Sequence, residues 1–152
     1  MPTPPAQTVF HPERPPAPSL LAELGLALVP GEGLSQRVKQ GVPYRFFEQL
    51  RGVLGLSQVQ LARLAAIPVT TLKRRAAEGR FTLHEGDRLL RFAHVFERAA
   101  ALFEGDREQA RRWLTTPARA LGGAIPLAQL ETEAGAREVL DLIGRLEHGV
   151  FA

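Results

Sequence analysis

The sequence contains no cysteine, which excludes a disulfide framework and a thiolate zinc site. No apolar run approaches the ~18 residues needed to cross a bilayer. Met1 leads into a proline-rich stretch, not the basic-then-apolar start of a secretory leader. These features point to a cytoplasmic protein with no membrane partner. Catalytic signatures are missing too. There is no H-E-x-x-H and no glycine-rich phosphate loop after a strand. His11, His84, His94 and His148 are scattered. Asp87 and Asp141 fall on polar helical faces among arginines, where a surface ion pair accounts for them. With no nucleophile, positioned base or metal cluster, the chain reads as a non-enzyme with no cofactor and no metal site. Strict alternation of apolar and polar positions, the mark of a half-buried strand, is also absent, so the fold class is all-α.

What is present is an ordinary globular composition, 45% apolar and 23% charged. At 152 residues the chain suffices for one domain or for two small ones sharing a core. The net charge of +3 is unevenly spread: residues 33–82 hold nine cations against Glu48 and Glu78, a balance of +7, whereas residues 1–32 and 83–152 each sum to −2. Positive charge therefore gathers where a phosphate backbone could be neutralised.

That basic stretch contains two short helices joined by a tight corner. Ser57 N-caps the first, and Gln60 three residues later returns the bond as a capping box. Leu61, Leu64 and Ala65 form its buried face, and small Ala62 allows close contact. The corner follows at Ala66-Ile67-Pro68, and a second helix starts near Val69, since proline suits a first turn but not a helix interior. Such a helix-turn-helix places its second helix in the DNA major groove. Ala66 stands where glycine is commonest. Burial of Ile67, Leu72 and Ala76 would leave Pro68, Val69, Thr70, Lys73 and Arg74 on the outer face as the candidate DNA-binding residues; the alternative is a merely solvated face.

The remaining elements follow from periodicity and punctuation. Residues 1–18 hold seven of the twelve prolines and read as a flexible arm. Residues 19–42 should form N-terminal helices: one from Leu20 to about Val29 capped by Ser19, and one over 33–39 stopped by Gly41 and Pro43. Residues 43–82 form the helix-turn-helix domain, propped by a helix from Tyr44 to Leu54 that Gly55 ends. Thr82 and Glu85 make a second capping box that opens a long helix to about Phe103. Its two apolar stripes, one including Leu83, Leu89 and Phe96 and the other Phe92, Val95 and Leu102, imply packing against two neighbours. Beyond it come a short helix from Asp106 to Thr115, a turn at 118–121, another over 127–130, and a last helix over 133–147. That last helix turns Val139, Leu140, Ile143 and Leu146 inward.

From Phe103 onward the chain reads F-x-G-D-x-x-x-A-x-x-W-L-x-T-P-x-x-A-L-G-G-x-x-P-L-x-x-L-x-T-x-x-G-A-x-x-V, continuing to Arg145, Gly149 and Val150. This pattern resembles the toxin-binding domain of the Xre/MbcA/ParS antitoxins, and the resemblance extends back to about residue 34. It implies that residues 83–152 are a connecting helix and a small helical toxin-binding domain, joined to the DNA-binding half by the long shared helix. Trp113, Leu114, Leu121, Leu127, Leu130, Val139 and Ile143 are then most simply core, and Gly122, Gly123 and Gly135 permit turns or close packing.

The resemblance further implies a RES-domain toxin as partner, an enzyme acting on NAD whose active site the antitoxin covers. It also implies operator DNA, bound by a homodimer that represses its own operon. Arg145, His148, Gly149, Val150, Phe151 and Ala152 become the candidate toxin-binding residues, a helix end and tail free to enter a pocket; a frayed terminus is the alternative. The other functional class is a stand-alone regulator whose second half dimerises or binds an effector.

Overall fold

The computed structural model describes residues 19–26 and 30–149. Nine α-helices and one 3-10 turn occur among them: α1 (Leu20–Glu23), α2 (Leu34–Lys39), α3 (Tyr44–Leu54), α4 (Gln58–Leu64), α5 (Val69–Glu78), α6 (Leu83–Leu102), α7 (Arg107–Leu114), the turn Arg119–Leu121, α8 (Pro126–Gln129) and α9 (Glu133–Glu147). Among the described residues there is no strand, only an isolated bridge between Pro43 and Arg80. The all-α expectation holds.

Caps explain most of the boundaries. Ser57 accepts from Gln60 N–H at 3.1 Å while the Gln60 side chain accepts from Ser57 N–H at 2.9 Å. Thr82 and Glu85 close the same reciprocal box at α6. Asp106 and Thr132 cap α7 and α9. The expected first helix is cut short. It ends at Glu23, because Gly25 at φ +90° lets Leu26 N–H reach Leu21 O (2.8 Å) and Gly25 N–H reach Ala22 O (3.1 Å). This is a Schellman closure, which turns Leu26 into the core. Leu28 and Val29 lie outside the described residues, as does the expected arm over 1–18.

The corner of the helix-turn-helix is the same closure built on a less suitable residue. Ile67 N–H donates to Ala62 O at 2.8 Å and Ala66 N–H to Arg63 O at 3.1 Å, with Ala66 at φ +55°. A side chain in this left-handed region costs ~1–2 kcal/mol. Ala66 is exposed, so its methyl gives little back. Ala66→Gly should raise stability by about 1 kcal/mol, after the greater unfolded-state freedom of glycine, and the thermal midpoint by roughly 2–4 °C. A lower midpoint in calorimetry would contradict this reading of the corner.

One cluster of buried side chains runs through the whole fold, from Phe46, Phe47 and Leu50 on α3, through Phe92 and Phe96 on α6, to Val139 and Ile143 on α9. Helix α6 is the common partner, packing against α1, α2 and α3 on one side and α7 and α9 on the other. Its 20 residues span about 30 Å. Tyr44 stacks on Phe47 and on Phe81, which meet each other at a tilt, all with centroids 5.6–5.9 Å apart. Tyr44 N–H donates to Gly79 O (2.9 Å) and Phe81 N–H to Val42 O (2.8 Å), pinning the end of α5 to the start of α3.

Several burial expectations need correction. Ala76 is exposed, because α5 is a peripheral helix that buries Leu72 alone. Leu83 is 38% exposed at the first position of α6, ahead of where its neighbours close over it. Leu64, Trp113, Leu121, Leu140 and Leu146 are only half-buried. Leu142, which the spacing does not single out, is buried on α9 beside Val139 and Ile143.

Candidate nucleic-acid and protein interfaces

Helix α5 is held from behind and left bare in front. Leu72 and the preceding Ile67 are buried, whereas Pro68, Val69, Thr70, Lys73 and Arg74 are all exposed. Val69, Thr70, Lys73 and Arg74 stand at i, i+1, i+4 and i+5, so they share one face of the helix. Val69 is 47% exposed, and Val59 in the first turn of α4 is 50% exposed; no sequence signal marks Val59, since it reads as an ordinary helical apolar residue.

The cations of this half do not all face outward. The Arg75 guanidinium grips Glu85 from two nitrogens, Nε to Oε2 at 2.8 Å and Nη2 to Oε1 at 2.9 Å, and Nη1 reaches Glu78 at 3.0 Å. Arg51 Nε donates to Glu48 at 2.8 Å, and Glu48 also accepts from Tyr44 OH and the Gln58 amide, tying the start of α4 to α3. Among the described residues, exposed Arg63, Lys73 and Arg74 have no acidic partner. The basic cluster read from the sequence is thus smaller as a surface than as a count.

Hydrogen bonds from Arg75 hold the Glu85 carboxyl below the usual carboxylate range, against the opposing effect of burial, with Thr82 N–H adding to the pull. A folded pKa below the unfolded one means stability that is complete above about 4.5 and lost as pH falls through the lowered value. Below that pH the thermal midpoint should drop, and it should drop less steeply in Glu85→Gln. Parallel curves would remove Glu85 from the acid transition.

At the other end of the molecule, Arg145 and His148 line a shallow depression between α6 and α9 together with Arg98, Leu140, Asp141 and Gly144. Both are exposed, and His148 is the C-cap of α9, followed by Gly149 at φ +70°. Arg98 joins Glu147 at 3.0 Å, which fixes this end of α9 to α6. Val150, Phe151 and Ala152 lie outside the described residues. The expected ion pairs of Asp87 and Asp141 do not form among the described residues; both carboxylates are simply exposed.

The segment between α7 and α8 is exposed yet firmly built. Gly123 N–H donates to Ala118 O and Ala118 N–H to Ala124 O, both at 3.0 Å, closing a small ring in which Gly122 and Gly123 take φ +67° and +87°. Thr116 Oγ1 donates to Arg112 O at 2.6 Å. Thr116, Pro117, Ala120 and Ile125 face outward from it. The residue pattern marks a turn at 118–121 and gives no sign of an outward surface around it.

Known proteins share this arrangement. Residues 33–94 match the family model of the antitoxin Xre-like helix-turn-helix domain, and residues 98–149 match that of the antitoxin Xre/MbcA/ParS C-terminal toxin-binding domain. The first range takes in α2 and more than half of α6. A protein named Antitoxin Xre from Yersinia enterocolitica is 40% identical over 135 residues, 88% of this chain and 91% of its own length. Another of that name from Photorhabdus laumondii is 34% identical over 123 residues, covering 80% and 83%. A third, from Pseudomonas putida, is 35% identical over 100 residues, covering 65% and 60%. Neither matched domain is catalytic, and the chain is a binding protein, not an enzyme. Two binding domains in this order, with two relatives matched over 91% and 83% of their own length, show that the chain belongs to the Xre antitoxin family.

Proposed function

We propose that this chain is the cytoplasmic antitoxin of a toxin–antitoxin pair, with a RES-type, NAD-consuming enzyme as the protein it silences. Its second half covers the toxin's active site, through Arg145, His148, Gly149 and the terminal residues Val150, Phe151 and Ala152. Its first half binds the operator of its own operon as a homodimer, through Pro68, Val69, Thr70, Lys73 and Arg74. The observation that carries this reading is the pairing of two matched binding domains on one chain, each presenting an exposed, built surface. Lys73 and Arg74 can reach guanine edges or phosphates, and Val69 beside them suits a thymine methyl.

Co-expression with the RES-type protein should yield a stable complex with no NAD consumption. Removing residues 149–152 should release that consumption. A truncated chain that still protects cells fully would rule out occlusion by the tail. A full-length chain that ignores the RES protein in solution would leave a stand-alone regulator instead.

A further inference from the structure

The angle at which α5 is offered to DNA depends on the corner between α4 and α5, and one residue outside the motif holds that corner. The Ala62 and Arg63 carbonyls are taken by Ile67 and Ala66 N–H, but the carbonyls of Ala65 and Ala66 receive no main-chain donor among the described residues. They are met by Arg88, a residue of α6: Nε donates to Ala65 O at 2.7 Å and Nη2 reaches Ala66 O at 3.5 Å. Three residues earlier on the same helix is Glu85, the carboxylate that grips Arg75 of α5. Positions three apart on a helix share a face. A single face of α6 therefore holds both helices of the motif, α4 at its C-terminal end and α5 through Arg75.

We infer that Arg88 is a positioning residue for DNA reading, fixing the tilt of α5 without touching nucleic acid; this rests on the DNA-binding reading above. Two of its guanidinium nitrogens are turned onto main-chain carbonyls of the corner. The geometry therefore separates it from Lys73 and Arg74, which are exposed and have no such partners among the described residues. A cation at the C-terminal end of α4 also complements the partial negative charge there.

The test uses the full chain and the DNA upstream of its own coding sequence, titrated at several salt concentrations beside a scrambled duplex. Arg88→Ala should weaken operator binding about ten- to a hundredfold, as expected for removal of one charge-assisted hydrogen bond. It should leave scrambled-duplex binding and the slope of log affinity against log salt unchanged, because no phosphate contact is removed. Lys73→Ala, by contrast, removes a cation from the DNA-facing surface and should lower that slope. Arg88→Lys, still able to donate to Ala65 O, should recover part of the loss. A salt slope lowered by Arg88→Ala would make Arg88 a phosphate contact and overturn the inference. So would an equal loss of toxin binding, which would mean general unfolding. Wild-type binding matched by Arg88→Ala would end the inference alone. A wild-type chain with no operator preference would end the DNA-binding reading as well.

Discussion

Gly135→Ala is expected to lower the thermal midpoint by roughly 6–12 °C, from an overpacking cost of about 3 kcal/mol, and to prevent a stable complex with the toxin. Gly135 sits in the first turn of α9, where its N–H donates to the capping Thr132 Oγ1 at 3.0 Å. A methyl group there would collide with the Gln129 carbonyl oxygen, and would lie 2.9 Å from the Gln129 carbonyl carbon and 3.0 Å from Thr132 Oγ1. Two of these atoms are main chain, so no side-chain rotation relieves the clash. Either α8 must back away from α9 or the cap must open. Trp113 is the sole tryptophan and packs at the edge of this core, so its emission should report the change. A wild-type midpoint together with wild-type emission would show that the α8–α9 junction yields at little cost.

Lys73→Ala combined with Arg74→Ala should abolish specific operator binding while leaving folding and toxin inhibition intact. Deleting a side chain that reads a base edge costs roughly 1–3 kcal/mol of discrimination, and both side chains are exposed and without acidic partners among the described residues. Surface substitutions of this kind change stability by about 0.5 kcal/mol or less, so DNA recognition would fail while the fold stands. Wild-type affinity should also decline steeply with salt. An unaltered gel shift would remove these two residues from the interface.

Local chemistry makes much of this fold legible in the sequence. Both capping boxes, the left-handed Gly55 that ends α3 and the bounds of α9 follow from residues within a few positions of each boundary. The first helix is shorter than its pattern suggests because Leu20, Leu21, Leu24 and Leu28 keep helical spacing across Gly25, and a left-handed turn there outweighs that spacing. Ala76 and Leu83 depart from expectation because periodicity selects a face but not how far the neighbouring elements extend over it. The inward use of Arg75 and Arg88 cannot be read from charge at all. Their partners are 10 and 22–23 residues away and meet them only through the packing of α6. The outer face of α5 is legible, since it is what remains once Ile67 and Leu72 are placed inside.

The shared strut constrains how such chains can be recombined. A hybrid that joins the first 82 residues of one relative to the remainder of another brings a foreign α6 to the α3 aromatics and to the corner carbonyls. A splice at Gly105 keeps those intact but sets the mismatch against α7 and α9. Exchange of operator preference among relatives is therefore easier by replacing a few outward residues of α5 than by shuffling whole modules.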